Sequence, residues 1–225
     1  MNGVDDTATV LAAAAVAGVE ARLVDWRSGR DHDESTWADA VLLHAPWDYT
    51  AHVEEFRGWL RSTSEHLPTF NPWSLVAANT HKGYLLDLAA AGVPVPDIRI
   101  LPAGRRVDID ELEASFTSSS VVLKPAVGSG GRRLERLVSV RALPGSTLLD
   151  EHLVPAEDLV VQRFVDSVET TGEHSLIVIG GKPTHLVHKT PARGQYRVQA
   201  RSGGEFSEWS LTPRPTRSRS SSART

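Results

Sequence analysis

The sequence predicts an α/β domain followed by an α+β domain. Three observations predict it. Over the first third, helical periodicity alternates with short apolar strand runs, the pattern of a small parallel sheet. Over the second half, strand runs are separated by short glycine turns, the pattern of antiparallel pairing. Between them lies Ser120 to Arg133, where the apolar run Val121-Val122-Leu123 delivers Lys124 and Pro125 ends the ladder for want of an N–H. Val127-Gly128-Ser129-Gly130-Gly131 follows. Its glycines let the backbone turn sharply and aim several N–H groups at one anion, so a strand-borne lysine beside them makes a phosphate clamp. On this stretch alone, a β-hairpin turn with a surface lysine is the equal alternative. No Gly-Lys-Ser/Thr follows the glycines, so the stretch is not a P-loop.

The length, 225 residues, allows one or two domains. A composition of 40% hydrophobic and 23% charged residues is that of an ordinary globular protein. The formal net charge of -4 gives no general pull towards nucleic acid. Cysteine is absent, which excludes disulfides and thiolate metal sites. Asp5, Asp6 and Glu20, with no basic segment ahead of them, set the alanine-rich start apart from a signal peptide. No apolar stretch is long enough to span a bilayer. A cytoplasmic protein without membrane contact is the expectation.

Asp5-Asp6-Thr7 can cap a helix through Leu11 to Ala17, with Gly18 as its stop. Ala21 to Trp26 reads as a strand and Asp39 to Leu43 as a second. After the turn Pro46-Trp47-Asp48-Tyr49, Thr50 can cap a helix from Val53 to Arg61 with Phe56, Trp59 and Leu60 on one face. An open α/β domain should carry a strand before its first helix, yet only Met1 to Val4 precedes it, so the true start is expected upstream. Leu75 to Ala78 is a helical turn, and Asn79-Thr80 can cap a helix from His81 to Ala91. Lys82 then sits in a first helical turn, where a cation opposes the dipole unless an anion binds.

Asp97 to Leu101 reads as a strand and Ile109 to Phe116 as a helix, and Leu134 to Val140 pairs back on the lysine strand. Asp158 to Val165 and His174 to Ile179 are strands, and after the turn Gly180 to Pro183 the chain returns along Thr184 to Lys189. Gln195 to Ala200 alternates until Ser202-Gly203-Gly204 breaks it. From Leu211 onward the chain has no periodicity and reads as disordered. Arg214, Arg217, Arg219 and Arg224 are the feature that could touch nucleic acid, although the tail reads more simply as foreign to the fold. The expected division is residues 1–78, residues 79–204 and a disordered tail over 205–225.

Four motifs together resemble a known superfamily. They are Ala45-Pro46-Trp47-Asp48-Tyr49 with Glu55-Phe56, then Asn79-Thr80-His81-Lys82-Gly83-Tyr84-Leu85 ahead of Ala91-Gly92-Val93-Pro94-Val95, then Val122 to Gly131. The fourth runs from Val161-Gln162-Arg163-Phe164-Val165 to Gly172-Glu173-His174-Ser175, His188-Lys189-Thr190-Pro191, Tyr196-Arg197-Val198-Gln199 and Gly203-Gly204. Each alone is weak, but their order and spacing over residues 39–204 resemble the ATP-grasp superfamily in its glutathione-synthetase-like branch. Within that branch they are nearest to the ligases that close the cycloserine ring, and to their relatives. The resemblance implies a partial Rossmann-like domain ahead of an incomplete ATP-grasp domain. It implies ATP and a small carboxylate or amino-acid-like substrate as ligands, and chemistry in which the carboxylate becomes an acyl phosphate for attack by an amine-type nucleophile.

The resemblance also implies residue roles. Lys82 and Lys124 would meet the α- and β-phosphates, and Gly128, Ser129, Gly130 and Gly131 would close over them. Gln162, Arg163, Phe164 and Val165 would form the hinge at adenine, chiefly through the backbone of Phe164 and Val165. Glu173 or Glu169 would accept the ribose hydroxyls, and spacing does not separate them. Lys189, Arg197 and Gln199 would face the γ-phosphate and the acceptor carboxylate. His44 stands where relatives often carry Arg, and His81 and Gly83 flank Lys82 where Asp and Arg are usual.

Mg²⁺ is implied too, held in the superfamily by an Asp, a Glu and an Asn on two later strands. After Gly204 the only acids are Glu205 and Glu208, and no Asn or Asp follows. Mg²⁺ needs near-octahedral oxygen ligands. The expectation is therefore a C-terminally truncated chain, with a Ser/Arg/Pro-rich tail such as a shifted frame would produce. Unpaired sheet edges at both ends would favour oligomers. The function classes in play are an ATP-dependent ligase, a nucleotide-binding remnant without turnover and, least supported, a basic-tailed interaction protein.

Overall fold

The computed structural model describes residues 6–28, 38–116 and 120–209. They fall into two compact units, Met1–Val165 and Asp166–Thr225. In the first unit, helix α1 spans Thr7–Val16 and buries none of its side chains. Residues 19–25 form no strand, against the expectation for Ala21 to Trp26. Val19, Leu23 and Val24 are exposed, and the buried side chain here is the next residue, Trp26, which is 6% exposed and donates its Nε1–H to Asp48 Oδ1 at 2.8 Å. Strands β1 (Val41–Leu42) and β2 (Thr69–Phe70) pair in parallel, in keeping with the alternating pattern.

Helix α2 (Val53–His66) starts after His52, not at a Thr50 cap, because residues 47–51 are wound into a 3-10 turn. Phe56, Leu60 and Thr63 recur at helical spacing and are buried. Phe56 and Leu60 close a small core with Trp26, against which Leu43, Tyr49, Trp59, Trp73 and Val76 pack. Helix α3 spans Trp73–Asn79 and α4 spans Tyr84–Ala90. Helix α4 thus starts later than the His81 expected from sequence. Thr80 Oγ1 donates back to Ala77 O at 2.8 Å and ends α3. The Lys82 N–H turns away to Ala126 O at 2.9 Å, so Lys82 precedes α4 and does not oppose its dipole from within.

The larger sheet has the order β3 (Ile98–Leu101), β6 (Leu159–Arg163), β4 (Val121–Pro125), β5 (Glu135–Leu137), every pair antiparallel. Period-two alternation sorts its side chains. Val121, Leu123, Leu159 and Val161 face a core shared with Leu112 of α5 (Ile109–Ala114) and with Val140 and Leu143. Asp108 caps α5 by accepting the N–H groups of Asp110 and Glu111, both at 3.0 Å. The opposite face carries Val122, Lys124, Val160 and Gln162, and there Ile98, Val160 and Ala126 cluster with Leu85 of α4. Within the first unit, Trp26, Phe56 and Leu60 form one core and the larger sheet contributes two others.

The second unit begins with a short helix, α6 (Ser167–Thr171), for which the sequence carries no clear periodicity. Strands β7 (Glu173–Ile179), β8 (Lys182–Thr190) and β9 (Glu205–Trp209) follow as an antiparallel sheet in that order. Two expectations are corrected. Gln195 to Ala200 alternates in sequence but forms no strand, and Ala200–Ser202 is a 3-10 turn. Residues 205–209 are not tail: Glu205-Phe206-Ser207-Glu208-Trp209 pairs with β8 from Thr190↔Glu205 to Leu186↔Trp209. The glycines before it are a turn and not the end of order. Gly203 sits at φ +81°, and a Cβ on Gly204 would lie 2.1 Å from Val198 O. Leu211 to Thr225 lies outside the described residues.

Candidate functional site

Strand β4 ends at Pro125, and the chain then bends into the glycine loop. Gly130 and Gly131 take φ of +59° and +69°, which glycine alone adopts at little cost. Arg133, after the loop, pairs with Glu157. Lys82 reaches the loop from the turn before α4. Its Nζ donates to Gly128 O at 2.7 Å and to Pro125 O and Ala126 O at 3.2 Å each. Burial lowers its pKa from 10.5 to about 8, and the Lys124 charge acts in the same direction. Two ammonium groups therefore share one field beside a loop of glycines. Lys124 Nζ donates to Gln162 Oε1 at 2.8 Å, a diagonal contact across β4 and β6 on the face away from the main core.

The expected hinge follows directly. Arg163 N–H donates to Asp97 O at 2.8 Å and Phe164 N–H to Ser120 O at 3.0 Å. Arg163 Nε lies 3.8 Å from Asp97 Oδ2. Phe164 is 4% exposed, with the Arg136 guanidinium 3.7 Å from its ring centroid. The Phe164 N–H is thus already engaged by Ser120 O. Val165 is half-buried and is the last residue of the first unit. Lys82, Lys124, Gly128 and Gln162 are brought together by these contacts, and Ser129 lies in the same loop, half-buried.

The remaining candidates belong to the second unit. Glu173 and Lys189 face each other across β7 and β8, with Lys189 Nζ 3.2 Å from Glu173 Oε1. Glu169 is exposed on α6. The Arg197 guanidinium lies 5.6 Å from the Tyr196 ring centroid. Gln199 Oε1 is buried with no hydrogen-bond donor, an atom that a ligand donor would satisfy. On the opposite face of this sheet, His174 and His188 stack at 4.5 Å with Trp209 edge-on to both.

Sequence reasoning misses three contributors. Arg136 covers Phe164, Ser120 holds its backbone, and Asp158 contacts His81 at 3.2 Å. A charged residue just ahead of the apolar run 159–161 was the available signal for Asp158. Among the described residues no group of three or more His, Cys, Asp or Glu could hold a metal ion.

The family described as prokaryotic glutathione synthetase, ATP-grasp domain, matches residues 103–220, more than half of the chain. The chain belongs to the glutathione-synthetase ATP-grasp family. Residues 1–71 match a second family, the N-terminal domain of D-cycloserine synthetase DcsG. The cycloserine biosynthesis protein DcsG of Streptomyces lavendulae is 29% identical over 189 residues, covering 82% of this chain and 62% of that protein. The glutathione synthetase of Bradyrhizobium diazoefficiens is 33% identical over 109 residues, covering 48% of this chain and 34% of that one. The crystal structure of DcsG superposes with a TM-score of 0.71 at 28% identity, over 82% of this chain and 63% of that one. The D-alanine–D-alanine ligase of Bacillus anthracis shares the fold, with a TM-score of 0.57 at 14% identity over 94% and 70% of the two chains. This ATP-grasp chain therefore spans less than two thirds of the length of the DcsG relative. ATP-grasp ligases in general use ATP and Mg²⁺. Among the described residues no helix is long and apolar enough to cross a membrane.

Proposed function

We propose that this chain binds ATP and derives from ligases that activate a small carboxylate or amino-acid-like substrate. The observation that carries the reading is the meeting of Lys82, Lys124 and the glycine loop, with two cations in one partly desolvated field. Such a field is unfavourable without an anion and suits a polyphosphate. Lys82 and Lys124 would hold the α- and β-phosphates, and Gly128 to Gly131 would lie over them. Gln162 to Val165 would meet adenine. Glu173 or Glu169 would take the ribose, while Lys189, Arg197 and Gln199 would face the γ-phosphate and the acceptor.

When bound, ATP supplies the phosphoryl group that turns a carboxylate into an acyl phosphate. An amine nitrogen then attacks the carbonyl carbon, loses its proton, and phosphate leaves. A second reading, nucleotide binding without turnover, is favoured by one observation. The described residues contain no acidic cluster for a metal, and phosphoryl transfer leans on metal charge between the β- and γ-oxygens.

Titration calorimetry with ATP tests the binding step. Lys124→Ala should weaken affinity about ten-fold or more, the size of a lost charge-assisted bond, while Lys182→Ala in the exposed start of β8 should not. Equal curves for the two variants would remove Lys124 from the site. Steady-state ADP release with Mg²⁺ and a panel of amino-acid acceptors then separates the two readings. Turnover that vanishes in Lys124→Ala would select the ligase.

A further inference from the structure

Lys82 is not placed by its own helix. It lies before α4, and what fixes it is a short network centred on the residue ahead of it. Gly83 N–H donates to His81 Nδ1 at 3.0 Å, which assigns the ring proton to Nε2. That nitrogen lies 3.2 Å from Asp158 Oδ2. Asp158 is held in turn, since its Oδ1 accepts from Ala103 N–H at 2.8 Å. Its carbonyl accepts the Ala126 N–H at 2.8 Å, and Ala126 O accepts the Lys82 N–H at 2.9 Å. One residue therefore holds both flanks of Lys82, the imidazole through its carboxylate and Ala126, just ahead of the glycine loop, through its carbonyl. Gly83 has a part in this as well. A Cβ there would lie 2.9 Å from His81 Nδ1, so the bare glycine is what lets the ring fold over its own backbone.

We propose that His81, tied to Asp158 and to the Gly83 N–H, is a positioning residue that sets where the Lys82 ammonium meets a polyphosphate. The inference rests on the nucleotide reading above and goes beyond it. His81 touches no reacting atom. It fixes the turn from which Lys82 projects between Pro125 O, Ala126 O and Gly128 O, and it holds Lys82 within the field of Lys124. A solvated histidine would need neither partner. Here one ring nitrogen accepts from the backbone and the other faces a carboxylate, so the ring has one orientation and one tautomer. Preorganising a cation in this way raises affinity by removing the cost of ordering it on binding.

The test uses the full chain and two variants, His81→Ala and Asp158→Asn. The first deletes the ring and the second keeps its partner's shape while removing the charge. One readout needs no nucleotide: titration of the lysine ammonium groups by NMR on side-chain-labelled protein. The buried placement beside Lys124 lowers the Lys82 pKa to about 8, and a released Lys82 should titrate closer to 10.5. The second readout is ATP affinity by calorimetry, expected to fall about ten-fold in His81→Ala and several-fold in Asp158→Asn. If His81→Ala fails to fold, Asp158→Asn decides alone. A folded variant with unchanged Lys82 titration and ATP affinity within about two-fold of wild type overturns the proposal. Wild-type protein that binds no ATP overturns the nucleotide reading and the ligand half of this one. The Lys82 titration tells that failure apart from a failure of His81 to position the lysine.

Discussion

Lys82 carries its proton weakly, and that has consequences at two levels. Its pKa in the fold, about 8, lies below the value of 10.5 that the unfolded chain would show. Between those values the folded chain binds fewer protons than the unfolded one, so this group makes the fold more stable as pH rises from about 8 to 10.5. Below that window the cost of a partly buried ammonium is fully present. Lys82→Met should flatten this part of the melting temperature against pH profile. ATP binding follows the opposite slope. A phosphate chain needs the ammonium form, so affinity should fall as pH rises through about 8, with a proton taken up on binding. Calorimetry in two buffers of different ionisation enthalpy measures that uptake directly. Its absence at pH 8 to 9 would take Lys82 out of contact with the phosphates.

The elements show where sequence reasoning succeeds and where it stops. Strands β3, β4 and β6 are legible because their apolar runs are β-branched and bounded by turns, and their burial matches that pattern. Helix α2 is legible from the spacing of Phe56 and Leu60, and Leu60→Ala should cost about 2–5 kcal/mol in chemical denaturation, as loss of a fully buried leucine does. The start of α4 is not legible. It is decided by Ala126, over forty positions away, which captures the Lys82 N–H. The false strand at Ala21 to Trp26 fails for a related reason, since local propensity cannot supply a ladder partner. Strand β9 is hidden because the glycines before it read as an end. They are a tight return, and Gly204→Ala would push a Cβ into Val198 O. Amide hydrogen exchange over Glu205–Trp209 should accelerate at least about ten-fold in that variant while β3, β4 and β6 stay protected.

At the scale of the whole molecule, the family is legible from the sequence, because motif order survives where individual motifs are weak. Lys82, Lys124, Gly128 and Gln162 are joined by contacts within the first unit, and Glu173 pairs with Lys189 within the second. What the sequence does not disclose is the support: Asp158, Ser120 and Arg136 are ordinary residues in ordinary places until the strands bring them to Lys82 and Phe164. The chain has four lysines, Lys82, Lys124, Lys182 and Lys189, and no cysteine. Lys82 has its pKa depressed to about 8, so near that pH about half of it is the neutral amine, a nucleophile. An acylating reagent applied sparingly at pH 8 should therefore modify Lys82 first among the lysines, with the chain's α-amino group as its main rival, and peptide mass mapping would read the order. Saturating ATP should shield it. The protein thus carries its own address for a covalent probe, one that would mark the occupied and empty states without any engineered cysteine.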